Sequence, residues 1–268
     1  MHQTPFILAQ AKIQNRKNWI SAFCTGRASC FRARTSGLLL LFLLFTPSFA
    51  FAQSCPAPLA DARRLVLVVA DGMSSKTASL RRFTRAASGA PWQADGGPVT
   101  ALIGRNGVAW AHAFRHFAQP GEPVKVDGDK RAPAGFYPIG RSFGFGASSL
   151  PRYLHISEGT TCVDDPGSTA YNRITTRADV GWKVSGENMW RVPEYRRGLI
   201  VDYPTDRQAR AGSCIFIHVR RPGAAGTAGC VALPEPEVET LQRFSQDGAV
   251  LALLPRQALG RFKGCLPN

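Results

Sequence analysis

Short apolar runs separated by glycine and proline dominate the pattern of hydrophobic and polar positions beyond residue 55. The run RLVLVVA at Arg64–Ala70 has no polar alternation and predicts a strand buried on both faces. Residues 79–86 fit a strand or a short helix, and residues 123–146 are rich in glycine and proline and are predicted to be mostly loop. Further strands are predicted at residues 99–110 (a hairpin around Asn106-Gly107), 195–203, 213–219 and 248–255.

One segment has a helical pattern, PEPEVETLQRF at residues 234–244. Pro234 suits the first turn, acidic residues follow it, and Val238, Leu241 and Phe244 recur at a spacing of three. Many short strands with one or two short helices predict a mostly β fold, a sandwich or a barrel-like domain.

The first 52 residues have the order of a secretory signal. Arg32 and Arg34 precede an apolar run at residues 38–45, and Ala50-Phe51-Ala52 is a small-x-small cleavage site. The run is too short for a permanent membrane span. We therefore predict export to the periplasm or cell envelope. The predicted organisation is a signal segment at 1–52, a linker at 53–61, one domain at 62–262 and a tail at 263–268.

The net charge is +15, and the first 52 residues hold six basic and no acidic residues, which leaves +9 on the rest. A basic surface favours polyanions, although it can also be no more than a solvated cationic face. Zinc-finger spacing, RNP-type aromatic motifs and heptads are absent from the sequence, so nucleic acid is not a predicted partner. The protein is expected to be a monomer.

Cleavage would leave five of the seven cysteines, and in an oxidising compartment four of these can pair. The sequence does not assign the pairs. Our prediction is Cys55–Cys265 and Cys162–Cys214, which leaves Cys230 as the odd thiol. The alternative is that Cys230 is only an unpaired or buried cysteine.

Metal binding is not predicted. No two cysteines have CxxC spacing. His112 and His116 have the i, i+4 spacing of two ligands, but no third ligand is evident. No cofactor is expected.

Cys230 has the local features that a cysteine nucleophile needs, namely a nearby base and a place for an oxyanion. Gly229 allows a sharp backbone turn whose N–H groups can face one substrate oxygen. His218 lies twelve residues upstream on a predicted strand, within reach of a strand–loop–strand return. The alternative is that His218 is simply buried in its apolar run.

These residues resemble the catalytic motif of the L,D-transpeptidase (YkuD-type) family. The family places a histidine on a strand, then a loop, then Ser/Thr-x-Gly-Cys, and this chain has FIHV followed by Thr227-Ala228-Gly229-Cys230. The upstream run APAGFYPIG is similar to another family element. Three further segments resemble a secreted branch of the family, namely CVDDPGSTAYNR, GWKVSGENMWR and GLIVDYPTD. The resemblance covers roughly residues 62–256.

The resemblance implies a two-step acyl transfer on peptidoglycan stem peptides. His218 would take the proton of Cys230, whose thiolate would attack a stem tetrapeptide and release the terminal D-alanine. An amine of a second stem, or water, would then resolve the thioester. The N–H groups of Gly229 and Cys230 are the expected oxyanion donors. Thr227 is expected to hold the loop by a side-chain hydrogen bond, and the alternative is that it is an ordinary turn residue.

The chain departs from the family pattern at two positions, and its His-to-Cys spacing is also shorter than the common one. Ala228 replaces a second histidine, and Ala232 replaces a polar residue, so contacts made by those side chains are missing. Val219 follows His218, and a backbone carbonyl is therefore expected to accept from the second ring nitrogen.

A polar loop contributes weaker candidates for substrate binding. Asp164, Asp165, Tyr171 and Asn172 are expected to hold the ammonium end of a diamino acid. The alternative is that Asp165-Pro166 only starts a turn.

Two other functions stay open. One is hydrolysis in the same pocket, as an L,D-carboxypeptidase or endopeptidase. The other is a non-catalytic wall-binding protein whose site has decayed, which the missing second histidine favours and the retained Cys230 and His218 oppose.

Overall fold

The computed structural model describes residues 55–268. The fold is mostly β, with 35% strand against 18% helix, and its main sheet closes into a barrel-like ring, which confirms the predicted fold class. The predicted signal segment, residues 1–52, lies outside the described residues. No helix in the described part is long and apolar enough to cross a membrane.

The described chain forms strands connected by loops and short helices. The strands are β1 Arg64–Ala70, β2 Thr77–Thr84, β3 Gln93–Leu102, β4 Val108–Trp110, β5 Ala132–Gly144, β6 Leu154–His155, β7 Thr160–Val163, β8 Ile174–Thr176, β9 Gly186–Asn188, β10 Arg197–Val201, β11 Phe216–Val219, β12 Val231–Leu233 and β13 Val250–Pro255. The α-helices are α1 Ala57–Ala60, α2 Arg177–Val180 and α3 Glu235–Phe244, and 3-10 helices span His112–Phe117, Met189–Arg191, Pro193–Arg196 and Arg256–Phe262.

The main sheet runs in the order β10-β11-β12-β3-β2-β1-β13-β5, and a further pairing of β5 with β10 closes the ring. β1 is parallel to its neighbour β13 and antiparallel to its neighbour β2. Its run is apolar because both faces are covered, and Leu65, Val66 and Val68 are all fully buried. The strand has the bounds that the apolar run predicts.

A separate three-stranded sheet, in the order β8-β7-β9, covers part of the ring's outer face. A second apolar cluster contains Phe143 of β5, Cys162 of β7, Tyr195 of the 3-10 helix at Pro193–Arg196, Phe216 of β11, and Cys230. This second cluster is where the candidate site lies.

Two disulfides form as predicted. Cys162–Cys214 joins β7 of the small sheet to the segment before β11, across 52 residues. Cys55–Cys265 joins the two ends of the described chain, across 210 residues. Cys230 is the free cysteine of the described residues.

The predicted helix at residues 234–244 is confirmed as α3. Pro234 is its N-cap residue, and Val238 and Leu241 pack into the main core. Gln242 is fully buried, and its amide donates hydrogen bonds to the carbonyl oxygens of Phe143 (3.0 Å) and Gly198 (2.9 Å), so the helix is fixed to β5 and β10.

Two local predictions are wrong. The segment predicted as loop over residues 123–146 forms β5 from Ala132 to Gly144, and its first six residues are buried. At Gly135 an added Cβ would lie 2.3 Å from the Phe114 ring, so this glycine permits close ring packing and does not mark a turn. The hairpin predicted at residues 99–110 does not form because β4 pairs in parallel with β5 instead of with β3.

The packed unit extends beyond residues 62–262 at both ends. Leu59 from the predicted linker is fully buried in the main core, and Cys265 and Leu266 from the predicted tail are buried there as well. The ambiguous segment at residues 79–86 is a strand, since β2 covers Thr77–Thr84.

Candidate active site

His218 and Cys230 lie on the same face of two adjacent parallel strands. His218 of β11 is paired with Ala232 of β12, and Cys230 lies two residues before Ala232. Because side chains alternate along a strand, residues two apart point to one face. The packing agrees: Ile217 and Val231 enter the main core, whereas Phe216 and Cys230 enter the second cluster.

Both side chains line one cavity of about 280 Å³, which we call the narrow cavity. Its other walls include Glu187, Glu194, Tyr195, Arg105, Arg221, Thr227, Ala228 and Ala232. A second cavity of about 750 Å³, the wide cavity, lies on another side of Cys230. Glu187, Tyr195, Ala228 and Cys230 line both cavities, so Cys230 lies at their shared wall.

The His218 ring is oriented as the sequence predicts. Its Nδ1 lies 2.9 Å from the carbonyl oxygen of Val219. Because a carbonyl only accepts, Nδ1 carries the proton and Nε2 keeps a free lone pair. Burial lowers the pKa of His218, and the Val219 carbonyl and the negative charge of Glu194 offset this only in part. The ring is therefore neutral and able to act as a base at neutral pH.

The thiol of Cys230 is neutral at rest. Burial, followed by the negative charge of Glu187, raises the pKa of Cys230 to about 12. The residue is 7% exposed, and its Sγ donates to the carbonyl oxygen of Cys214 at 3.6 Å. No hydrogen bond joins it to His218 in the described part of the chain. The pair at rest is therefore a thiol and an imidazole rather than a thiolate and an imidazolium.

Thr227 holds the loop in front of the nucleophile. Its Oγ1 donates to the carbonyl oxygen of Cys230 at 2.7 Å and accepts from the N–H of Gly229 at 3.1 Å. Gly229 has φ of +152°, and an added Cβ would lie 3.1 Å from the carbonyl oxygen of Arg131. Of the two expected oxyanion donors, the Gly229 N–H is thus already engaged by Thr227, and the Cys230 N–H remains the candidate.

The structure separates the four residues expected to bind substrate. Asp164 and Asp165 line the wide cavity, where Asp164 accepts from the Ser185 hydroxyl at 2.5 Å. Asp165 also accepts from the N–H of Gly167 at 2.8 Å, which is the turn-forming role that the sequence left open.

Tyr171 and Asn172 do not line the wide cavity. The Tyr171 hydroxyl donates to Asp127 at 2.8 Å, and burial is the first cause that raises its pKa to about 12. Asn172 donates to the carbonyl oxygen of Tyr203 at 3.0 Å and accepts from the N–H of Cys214 at 2.8 Å. Both side chains are therefore committed to holding the loop in place.

Three residues outside the motif surround the pair. The Tyr195 ring lies edge-on to His218, with centroids 5.4 Å apart, and its hydroxyl donates to Glu187 at 2.6 Å. Glu194 is paired with Arg221 beside His218. These residues lie 23 to 31 positions before His218, in β9 and a 3-10 helix, so no local spacing links them to the motif.

The two alanines that depart from the family pattern both line the narrow cavity. Their short side chains leave space where a histidine and a polar residue would stand. No group of three or more His, Cys, Asp or Glu that could hold a metal ion occurs among residues 55–268.

Comparisons with known proteins return no match at three levels. No protein-family model matches the sequence, no curated protein matches it, and no solved structure matches the fold. The similarity to L,D-transpeptidases therefore depends on the quoted residues, chiefly His218 and the run Thr227-Ala228-Gly229-Cys230.

Proposed function

We propose that this protein is an exported cysteine acyltransferase that acts on peptidoglycan stem peptides by L,D-transpeptidation. The observation that supports this most is the placement of His218 and Cys230 on one face of paired strands, lining one cavity. Both disulfides leave Cys230 as the free thiol of the described residues, and they are compatible with an oxidising compartment.

In the first step, His218 Nε2 takes the Cys230 proton as the sulfur attacks the donor carbonyl. The neutral resting pair means that the proton moves during attack, not before it. The Cys230 N–H stabilises the oxyanion, and the imidazolium passes its proton to the leaving amine of D-alanine. A second amine, or water, then attacks the thioester, and the sulfur leaves with a proton returned through His218.

The transferase and the hydrolase functions differ in whether an amine or water accepts the acyl group from the thioester. Purified protein is incubated with tetrapeptide-bearing muropeptides, and the products are separated and weighed by mass spectrometry. We expect cross-linked dimers and free D-alanine from the wild type and neither from Cys230→Ser or His218→Ala. His155→Ala is the matched control, because this histidine is exposed and its ring has no side-chain hydrogen bond among residues 55–268 other than that with the carbonyl oxygen of Phe145. Shorter monomers without dimers would assign an L,D-carboxypeptidase or endopeptidase.

A non-catalytic wall-binding protein is the second candidate. The buried, neutral thiol with no hydrogen bond to His218 favours it. Binding of the folded wild type to isolated peptidoglycan, with no product from any muropeptide, would support this function and contradict the acyltransferase.

A further inference from the structure

A third cavity, of about 530 Å³, lies between the barrel-like ring and the small sheet. The ring contributes residues of β5, β6, β10 and β11 to its lining, and the small sheet contributes residues of β7 and β8. Neither His218 nor Cys230 lines it, and its volume is within the usual range of small-molecule sites. We call it the apolar cavity and define it by Arg141, Leu154, Arg173, Ile174, Ile200 and Phe216.

Three aliphatic side chains of the apolar cavity leave part of their surface uncovered. Leu154, Ile174 and Ile200 are half-buried and pack against the second apolar cluster. Ile215 and Phe216 also line the cavity and are only 5% and 1% exposed. Because removing apolar surface from water is favourable, a hydrocarbon body that enters this space would be stabilised by the three uncovered side chains.

Two guanidinium groups of the apolar cavity have unused hydrogen-bond donors. Arg141 and Arg173 both line the cavity and are exposed. Arg141 donates from Nε to the carbonyl oxygen of Arg152 at 2.9 Å, and its terminal nitrogens have no partner among residues 55–268. The Arg173 side chain has no hydrogen bond or ion pair within the same residues. Guanidinium groups of this kind bind carboxylates through paired N–H donors.

One acidic residue, Asp202, also lines the apolar cavity. Its carboxylate lies against β5, since an added Cβ at Gly140 would be 2.5 Å from Asp202 Oδ1. Burial raises the pKa of Asp202, and the nearby positive charge of Arg152 opposes this rise. Two arginines against one aspartate leave the lining with one positive charge in excess. The charge of the lining therefore favours an anionic ligand over a neutral or cationic one.

We propose that the apolar cavity binds a small amphiphilic carboxylate, with its hydrocarbon body against Leu154, Ile174 and Ile200 and its carboxylate held by Arg141 and Arg173. The combination of uncovered aliphatic surface with two unpaired guanidinium groups at one cavity supports this ligand class. The inference does not depend on the proposed acyltransferase function, because neither candidate catalytic residue takes part in it.

Calorimetric titration with octanoate and with octan-1-ol separates the contributions of the charge and of the hydrocarbon body. The two ligands share an eight-carbon chain and differ in the head group, and octanoate is kept below its micelle concentration. We expect the wild type to bind one octanoate per chain at least about tenfold more tightly than octan-1-ol.

The charge of the cavity is tested by single substitutions. We expect Arg141→Gln and Arg173→Gln each to weaken octanoate binding about tenfold and to leave octan-1-ol binding unchanged. Asp202→Asn should strengthen octanoate binding several-fold, because it removes a like charge beside the ligand. Arg191→Gln is the matched control, since Arg191 is exposed, lies over the Trp190 ring and does not line the cavity. It should bind octanoate like the wild type.

Filling the cavity tests where the ligand lies. Ile174→Trp places a larger ring in the space and should weaken the binding of both ligands about tenfold or more. Thermal unfolding of each variant identifies those that remain folded, and the exposed arginine variants should unfold at the temperature of the wild type.

Three results would overturn the inference. The first is a wild type that binds no octanoate or binds the two ligands equally. The second is equal octanoate affinity in the wild type and both arginine variants. The third is unchanged binding of both ligands in folded Ile174→Trp, because the ligand would then lie elsewhere.

Discussion

Thr227 contacts Cys230 from behind the nucleophile, with its Oγ1 donating to the Cys230 carbonyl oxygen at 2.7 Å while accepting from the N–H of Gly229. One hydroxyl thereby sets the backbone geometry on both sides of the Gly229–Cys230 peptide. A side chain of the same shape without the hydroxyl would leave both backbone groups without this partner.

We therefore expect Thr227→Val to lower the free energy of unfolding by about 1 to 3 kcal/mol and to slow acylation of Cys230. Thr227→Ser keeps the hydroxyl and should retain most of both. Denaturant unfolding and the rate of adduct formation by mass spectrometry measure the two effects. A fully active Thr227→Val protein would show that the hydroxyl does not position the nucleophile.

Gly229 occupies a backbone conformation that a larger residue tolerates poorly. Its φ is +152°, and an added Cβ would meet the Arg131 carbonyl oxygen at 3.1 Å. We expect Gly229→Ala to cost about 1 to 3 kcal/mol of stability and to slow acylation of Cys230 in the protein that remains folded.

Gly223→Ala is the matched control for this change. Gly223 also has positive φ, at +71°, but nothing lies within 4 Å of an added Cβ. Thermal unfolding should show a cost for both variants, whereas the labelling rate of Cys230 should fall only in Gly229→Ala. Equal labelling rates in the two would mean that the Gly229 turn does not serve the thiol.

Protonation of the base His218 is expected to set the acid limb of the pH dependence of the acylation rate. Burial lowers its pKa, so the ring takes up its proton only below the ordinary value of about 6.5, and the acylation rate should fall only below that pH. Glu194 raises the pKa of His218, and removing its charge in Glu194→Gln should therefore move this acid limb to still lower pH.

Glu239→Gln is the control for the acid limb, because Glu239 pairs with Arg243 on the exposed face of α3. Its profile should superimpose on that of the wild type. An acid limb at or above pH 6.5 in the wild type, or a shift to higher pH in Glu194→Gln, would contradict the assignment of His218 as the buried base.

The two disulfides should differ in their effect on the site. Each stabilises the fold by about 2 to 5 kcal/mol, so removing either should lower the melting temperature. Of the two, only Cys162–Cys214 joins the small sheet to the segment before β11, where the Cys214 carbonyl oxygen accepts from Cys230. In the small sheet, Cys162 lies opposite Glu187 of β9. Cys162→Ala with Cys214→Ala should therefore abolish acylation of Cys230, whereas Cys55→Ala with Cys265→Ala should retain it. The comparison is made below both melting temperatures, and loss of activity in both variants would contradict it.

Some of the fold could be predicted because local pattern and tertiary environment agree. The apolar run at Arg64–Ala70 is a strand covered on both faces, and the spacing of Val238 and Leu241 is that of a helix packed on the core. β5 could not be predicted, because Pro133, Gly135 and Pro138 suggest loop while burial against neighbouring strands makes the segment extended.

The placement of the candidate residues could be predicted only where they share a motif. His218 and Cys230 are twelve residues apart, and the return of the chain in a neighbouring parallel strand places both on one face, where they line one cavity. Glu187, Glu194 and Tyr195 come to the site because the small sheet folds over the ring and is held by a disulfide across 52 residues. No spacing in the sequence encodes that packing.

Intact-protein mass spectrometry after exposure to a carbapenem-type acylating probe tests most directly whether Cys230 is a nucleophile activated by His218. We predict one adduct per chain, located on Cys230 by peptide mapping, absent in Cys230→Ser and formed at least about a hundredfold more slowly in His218→Ala. A folded wild-type protein that forms no adduct, or a Cys230 adduct that forms at the same rate without His218, would contradict the account.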